Sequence, residues 1–207
     1  MPDERDVELL LAAGRGDRHA FGILVEQHHR AVVQFISRFL GDFGRDTADD
    51  LAQDVFLKAW TAARRFRPKG KVKTWLLQIA RNTSLNYKRS HRLRRAFHLD
   101  ADDHRARTSP DGVVQTVSAG ERAHRVGAAI AGLPHKQRAV ILLRYFHELP
   151  YAEIAAVLGV SVASVESLLF RARRAMHYQL ASLNTERNSP QVISELGAKR
   201  KSEESVL

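Results

Sequence analysis

The stretch PYAEIAAVLGVSVASVESLLFRARRAM, residues 150–176, predicts two helices joined by a tight turn. Gly159 suits the positive φ that such a turn requires, and Ser161 is expected to cap the second helix. Apolar residues recur at helical spacing on one face of each helix. These positions are Ile154, Ala155 and Leu158 in the first helix, and Val165, Leu169, Ala172 and Met176 in the second. The pattern is typical of a helix-turn-helix.

The opposite face of the second helix carries hydroxyl, aromatic and guanidinium groups. Its residues are Ser164, Ser167, Phe170, Arg171 and Arg174. Serines can bond base edges or phosphates, and arginines can meet guanine edges or phosphates in a major groove. Glu166 lies near this face and would be repelled by phosphate, although it can accept from a cytosine amine. An ordinary helical hairpin with a solvated basic face is the alternative, and we favour DNA binding.

Composition points to a polyanionic partner. The 207 residues carry a formal net charge of +10, and the chain has no cysteine. A basic excess of this size favours nucleic acid over a membrane surface. Lack of cysteine excludes disulfides and thiolate metal sites, which fits a reducing compartment. No apolar run reaches the length of a membrane span and no signal peptide is visible, so we expect a cytoplasmic protein without membrane insertion.

Helical periodicity predicts an all-α fold of two small domains. The first domain covers 1–95 and the second covers 119–183. Residues 96–118 are rich in turn-forming residues and are expected to be a flexible linker, and 184–207 to be a disordered tail. The predicted helices span about 6–13, 19–40, 47–65, 74–93, 119–132, 134–146, 150–158 and 161–182.

An acidic cluster opens the third predicted helix. It consists of Asp46, Asp49, Asp50, Gln53 and Asp54. Carboxylates in a first turn complement the helix dipole, which explains Asp54 less well than the others. Paired carboxylates also suggest acid–base catalysis, but no nucleophile, metal set or phosphate loop accompanies them. We therefore interpret the cluster as a docking face for a basic protein partner.

The helix KTWLLQIARNTSLNYKRSHR, residues 73–92, separates into two faces. Its expected core stripe is Leu76, Ile79, Ala80, Thr83 and Tyr87. Its neighbouring face carries Trp75, Gln78, Asn82, Asn86 and Arg89. Amides for base edges, an aromatic surface for stacking and arginines for phosphates are what binding an unstacked strand requires. The basic loop before it, with Lys69, Lys71 and Lys73, could hold a backbone or a flipped base; the alternative for Trp75 is a core position.

Together these parts resemble the extracytoplasmic-function sigma factors, small two-domain members of the main bacterial sigma family. The resemblance is carried by DDLAQDVFLKAW (49–60), FRPKGKVKTWLLQIARNTSLNYKRS (66–90), LPHKQRAVILLRYFHELPYAEIAAVLGVS (133–161) and VESLLFRARRAM (165–176). It covers about 19–180. Family members often have arginine where this chain has Glu166 and Leu168, which leaves the base contacts of the recognition helix open.

The resemblance implies a role in promoter recognition. The acidic helix, through Asp50, Gln53, Asp54 and Phe56, would dock on the clamp helices of core RNA polymerase. The loop Pro68–Lys73 and the helix from Trp75 would read and melt the minus-ten element of promoter DNA. The second domain would read the minus-thirty-five element through the five outward residues named above. An anti-sigma factor is an expected partner, no cofactor or metal is implied, and the polymerisation chemistry belongs to the core enzyme.

Two rival functions remain at this point. A stand-alone helix-turn-helix transcriptional regulator would leave the acidic cluster and the Trp75 face without a role. An enzyme is disfavoured because the ten histidines are scattered, His28-His29 is the only adjacent pair, and no metal-spaced motif such as H-E-x-x-H occurs.

Overall fold

The computed structural model describes residues 2–41, 47–67, 70–96 and 119–187. Every regular element in these ranges is helical. They are α1 (Pro2–Gly14), α2 (Arg18–Leu40), α3 (Ala48–Ala63), α4 (Val72–Ala96), α5 (Ala119–Gly132), α6 (His135–Ile141), α7 (Tyr151–Leu158) and α8 (Val162–Arg187). A single π-helical turn, Leu142–Phe146, continues α6. The prediction of an all-α fold with two helical domains is confirmed.

Helices α1 to α4 surround the N-terminal part of one continuous apolar core. Phe35, Ile36 and Phe39 on the inner face of α2 are fully buried and pack with α3 and α4. Asp17 caps α2 by accepting from the Ala20 N–H at 3.0 Å. A polar link lies among these apolar contacts, because His28 Nε2 of α2 lies 2.9 Å from Asp6 Oδ2 of α1 and both residues are buried. This pair fixes α1 against α2.

Helices α5 to α8 surround the C-terminal part of the same core, and the helix-turn-helix forms as predicted. The inner-face residues Ile154, Ala155 and Leu158 are buried, as are Val165, Leu169 and Ala172, while Met176 is half-buried. Gly159 ends α7 with a φ of 65°. The Ser161 Oγ accepts from the Ser164 N–H at 3.2 Å, which is the expected cap of α8.

Several helix boundaries differ from the predicted ones. α1 begins at Pro2, a residue tolerated in a first turn. The helix predicted over 134–146 changes to a π-helical turn at Leu142, and this wider turn accompanies the complete burial of both Leu142 and Leu143. The tail predicted from 184 is wrong at its start, because α8 continues to Arg187 before the Asn-Ser-Pro sequence. Residues 188–207 and 97–118 of the expected tail and linker lie outside the described residues.

Within the described ranges no single helix is long and apolar enough to cross a membrane. Only α7 and α8 taken together pass that test by length and composition, as a pair bent by 94°.

Candidate functional site

The outer face of α8 presents the residues expected to meet DNA. Ser167, Phe170, Arg171 and Arg174 are exposed, and Ser164 is half-buried. Phe170 is 66% exposed, so its ring is available to a partner surface. Internal bonds hold part of this face, because the Ser167 hydroxyl donates to the Ala163 carbonyl and Arg171 Nε donates to the Ser167 carbonyl. These two bonds orient the Ser167 and Arg171 side chains along α8.

The polar face of α4 is only partly free. Asn82, Asn86 and Arg89 are exposed, and Asn82 Oδ1 accepts from Arg81 Nη1 at 3.0 Å. Trp75 is half-buried and packs on Phe66, with 5.1 Å between ring centroids. Trp75 thus contributes to the core as well as to the surface, and the asparagines are the better candidates for base contacts.

The loop lysines meet the second domain. Lys71 Nζ lies 3.0 Å from Glu153 Oε1 of α7, and Lys73 Nζ donates to the His147 carbonyl at 3.3 Å. Gln78 of α4 likewise donates to the Ala156 carbonyl at 3.5 Å. Lys69 lies outside the described residues. Three of the predicted minus-ten residues are therefore engaged by α7 and by the turn that precedes it.

The acidic face of α3 is exposed to solvent. Asp49, Asp50, Gln53 and Asp54 are all exposed, with His29 Nε2 at 3.8 Å from Asp49 Oδ1, whereas Asp46 lies outside the described residues. Phe56 is only 6% exposed and contacts Phe21 edge-on. Phe56 was predicted to be one of the docking residues, but it lies beneath the docking surface and supports it from the core.

An apolar groove beside this acidic face was missed by sequence reasoning. It runs between α2 and α3 and is lined by Phe21, Val25, Phe56, Leu57 and Trp60. Leu57 is 64% exposed, and Trp60 is half-buried with its ring 5.1 Å from that of Phe21. The spacing of Gln53, Leu57 and Trp60 at i, i+4 and i+7 is the signal that could have revealed it.

A buried arginine joins the two domains and was also missed. Arg138 of α6 is 7% exposed and donates to the carbonyl oxygens of Ile130, Ala131 and Leu133 in its own domain. It also donates at 2.7 Å to the Phe39 carbonyl at the end of α2. A guanidinium there complements the negative ends of two helices. In the sequence, Arg138 is a basic residue early in an amphipathic helix. This context does not distinguish it from a solvent-exposed arginine, so the sequence gives no signal of its burial.

His147 lies in the same seam between the domains. Its ring is 5.8 Å from that of Phe35, and its Nε2 is buried with no hydrogen-bond partner. Burial, and then the charges of Lys73 on α4 and Arg38 on α2, lower the pKa of His147 to about 4. The imidazole is therefore neutral in the folded chain at neutral pH.

Acidification is expected to destabilise this packing through His147. Because its folded pKa is lowered from 6.5 to about 4, the unfolded chain binds more protons below about pH 6.5. The contribution of neutral His147 to the free energy of unfolding is fully present above that pH, and it decreases as the pH falls toward 4. Between about pH 7.5 and about pH 5 the free energy of unfolding should fall by roughly 2 kcal/mol from this group.

Urea unfolding at the two pH values measures this loss. His147→Phe keeps an aromatic ring against Phe35 but cannot titrate, so its pH dependence should be weaker by that amount. If the free energy of unfolding depends on pH equally in the two proteins, His147 is not the titrating group.

No group of three or more His, Cys, Asp or Glu side chains that could hold a metal occurs in the part of the chain that the structure describes. The side chains on these faces offer hydrogen bonding, stacking, charge and apolar contact.

Comparisons with known proteins agree with this arrangement. Residues 24–94 match the family described as Sigma-70 region 2, and residues 123–176 match Sigma-70, region 4. The chain is 34% identical over 194 residues to the RNA polymerase sigma-H factor of Pseudomonas aeruginosa, covering 88% of this chain and 97% of that protein. It is 32% identical over 188 residues to the ECF RNA polymerase sigma-E factor of Escherichia coli, covering 86% and 95%.

A solved structure is similar as well. CnrH, determined in complex with the cytosolic domain of CnrY, superposes with a TM-score of 0.63 at 30% identity, covering 86% of this chain and 98% of CnrH.

A helix-turn-helix domain and a second helical domain, which match the two sigma-70 regions, define a DNA-binding transcription factor of the initiation class. The chain belongs to the sigma-70 family, in its extracytoplasmic-function group. As a sigma factor it binds core RNA polymerase and directs it to promoters; sigma factors are initiation factors that do not themselves catalyse polymerisation.

Proposed function

We propose that this sigma factor divides its work among three surfaces. The first is the acidic face of α3 with the adjoining groove, which docks on core RNA polymerase. The second is the outer face of α4 with the preceding loop, which reads and melts the minus-ten element. The third is the outer face of α8, which reads the minus-thirty-five element. Residues 1–95 and 119–183 are the two functional domains, and 96–118 links them.

The single observation that carries this proposal is the exposure of Asn82, Asn86 and Arg89 on one face of α4. Paired amides can bond the edges of unstacked bases, and the arginine can bond phosphate. A stand-alone helix-turn-helix regulator would need neither these groups nor the exposed Leu57 beside the acidic face.

Removing the two amides should separate promoter opening from polymerase binding. Asn82→Ala/Asn86→Ala is expected to lower the yield of open complex roughly 30-fold, since each base contact contributes about 1–3 kcal/mol. Run-off transcription and permanganate reactivity with core RNA polymerase, on promoters selected from a library, measure this yield.

The control is Gln27→Ala, which removes an exposed amide from α2. Both proteins should bind core polymerase like the unchanged chain. Normal promoter opening by the double variant would remove α4 as the reader of the minus-ten element.

We further propose an anti-sigma factor as a regulatory partner, supported by the similarity to CnrH in its complex with CnrY. The proposed place of action is the cytoplasm, where core polymerase and promoter DNA are found, and the chain itself is proposed to have no catalytic activity.

A further inference from the structure

The two serines on the outer face of α8 use their hydroxyl groups inside the helix. The Ser164 hydroxyl lies 2.8 Å from the Ser161 hydroxyl, and the Ser164 N–H donates to the same Ser161 Oγ at 3.2 Å. The Ser167 hydroxyl donates to the Ala163 carbonyl at 3.1 Å, so its only proton is already used. Ser167 can donate to a base only by breaking this bond, and Ser164 is half-buried. The hydroxyls are therefore weaker candidates for base discrimination than their position on the helix suggests.

Glu166 is an exposed carboxylate in the same two turns of α8. Its side chain makes no hydrogen bond or ion pair with any other residue that the structure describes. Successive residues of a helix are about 100° apart, which puts Glu166 on the side that Ala163 and Phe170 share. Both of these residues are exposed, and Phe170 is 66% exposed. The start of the outer face thus presents a carboxylate with one apolar group a turn before it and another a turn after it.

The place of Glu166 along α8 is the part of a recognition helix that contacts bases. In a helix-turn-helix the N-terminal residues of the second helix lie against base edges in the major groove. Glu166 is the fifth residue of α8, which begins at Val162. Arg171 lies about 7 Å and Arg174 about 12 Å further along the axis, at a rise of about 1.5 Å per residue. The order along the helix therefore favours the carboxylate for the bases and the arginines for the phosphates.

A carboxylate in the major groove has few acceptable partners. It carries only acceptor atoms at neutral pH, and it is repelled by phosphate. Guanine presents two acceptors in this groove, and thymine presents one acceptor and a methyl group. Adenine offers an amine, but its N7 acceptor lies beside that amine and repels a carboxylate. Cytosine offers an amine and no acceptor of its own, so cytosine is the base that Glu166 fits.

We propose that Glu166 is the specificity-determining residue of α8 and accepts a hydrogen bond from the amine of one cytosine in the minus-thirty-five element. The inference rests on the proposed function of the outer face of α8, and it names a base pair that this face selects. Ala163 and Phe170 make apolar contacts with the neighbouring bases, for which thymine methyl groups are suitable partners. Arg171 and Arg174 hold the phosphates and add affinity that does not depend on sequence.

Selection of promoter DNA by the complete holoenzyme tests this assignment. The probe is a duplex library made from promoters that support run-off transcription, with the minus-thirty-five element randomised. Holoenzyme formed from core RNA polymerase and the full chain binds the library, and sequencing of the bound DNA gives the base preference at each position. The unchanged chain should enrich cytosine about tenfold over the other bases at one position, which is the discrimination expected of a well-placed contact. Absence of any such cytosine would overturn the proposal.

Replacing the carboxylate should change the preference at that position alone. Glu166→Gln should move it to adenine, because glutamine donates to N7 and accepts from the N6 amine, and Glu166→Ala should reduce it to less than about twofold. Both variants remove a negative charge and should bind all sequences more tightly, so the quantity measured is the preference and not the total affinity. Glu8→Gln, the control, removes an exposed carboxylate from α1 and should leave the preference unchanged. A cytosine preference that persists in Glu166→Ala would show that Glu166 is a solvated side chain without a role in reading.

A double variant separates this proposal from the function on which it rests. Arg171→Ala/Arg174→Ala should weaken holoenzyme binding to the selected promoters at least about tenfold and reduce its salt dependence by about two phosphate contacts. If its binding and salt dependence are normal, α8 does not lie on the DNA and the proposed function of its outer face fails. If its binding is weak while Glu166→Ala keeps the cytosine preference, α8 contacts the DNA and only the assignment of Glu166 is refuted.

Discussion

Replacing Asp50 and Asp54 together by lysine is expected to weaken binding to core RNA polymerase about 100-fold. Both carboxylates are exposed on α3 beside an apolar groove. Reversing two charges against a basic partner turns attraction into repulsion, and about 3 kcal/mol in total corresponds to that factor. Fluorescence anisotropy of labelled chain titrated with core polymerase measures the affinity.

The control keeps the same change in net charge away from the groove. Glu8→Lys/Glu166→Lys alters exposed positions of α1 and α8 and should bind core nearly normally. Leu57→Ser tests the apolar part of the surface: its side chain is 64% exposed, so its loss should weaken docking at least about tenfold while the fold persists. Unchanged binding by the Asp50/Asp54 variant would place the docking surface elsewhere.

Arg138→Met should destabilise the folded chain by about 3–5 kcal/mol. Its guanidinium donates to four carbonyl oxygens, those of Ile130, Ala131, Leu133 and Phe39. Methionine fills much of the volume but donates nothing, and buried acceptors left without a donor lose their hydrogen bonds and keep the cost of desolvation. Urea and thermal unfolding measure the difference.

Two further variants sharpen this prediction. Arg138→Lys keeps a charge but cannot present the planar fork of donors, so it should recover only part of the loss. Arg173→Met removes an exposed arginine of α8 whose guanidinium lies 5.9 Å from the Tyr145 ring, and should change stability by less than about 0.5 kcal/mol. Comparable losses of stability in Arg138→Met and Arg173→Met would show that the four hydrogen bonds to carbonyl oxygens are not the cause.

The helix-turn-helix shows how far sequence reasoning reached. Gly159 at a φ of 65°, the Ser161 cap and the buried Val165 and Leu169 all follow from local rules, because turn chemistry and helical spacing act over a few residues. The exposure of Asn82 and Asn86 was predictable for the same reason. Their contacts with DNA, like those of α8, stay predictions.

The sequence by itself thus determined the all-helical class, the order of the acidic, amide-bearing and helix-turn-helix segments, and the faces that carry them. Only the tertiary structure decided that Glu153 meets Thr74 and that Arg138 meets the Phe39 carbonyl. Thr74 and Glu153 are 79 positions apart, and Arg138 and Phe39 are 99 apart. Helical periodicity assigns a residue to a face, but which distant face covers it depends on how whole helices pack, and that information is not local.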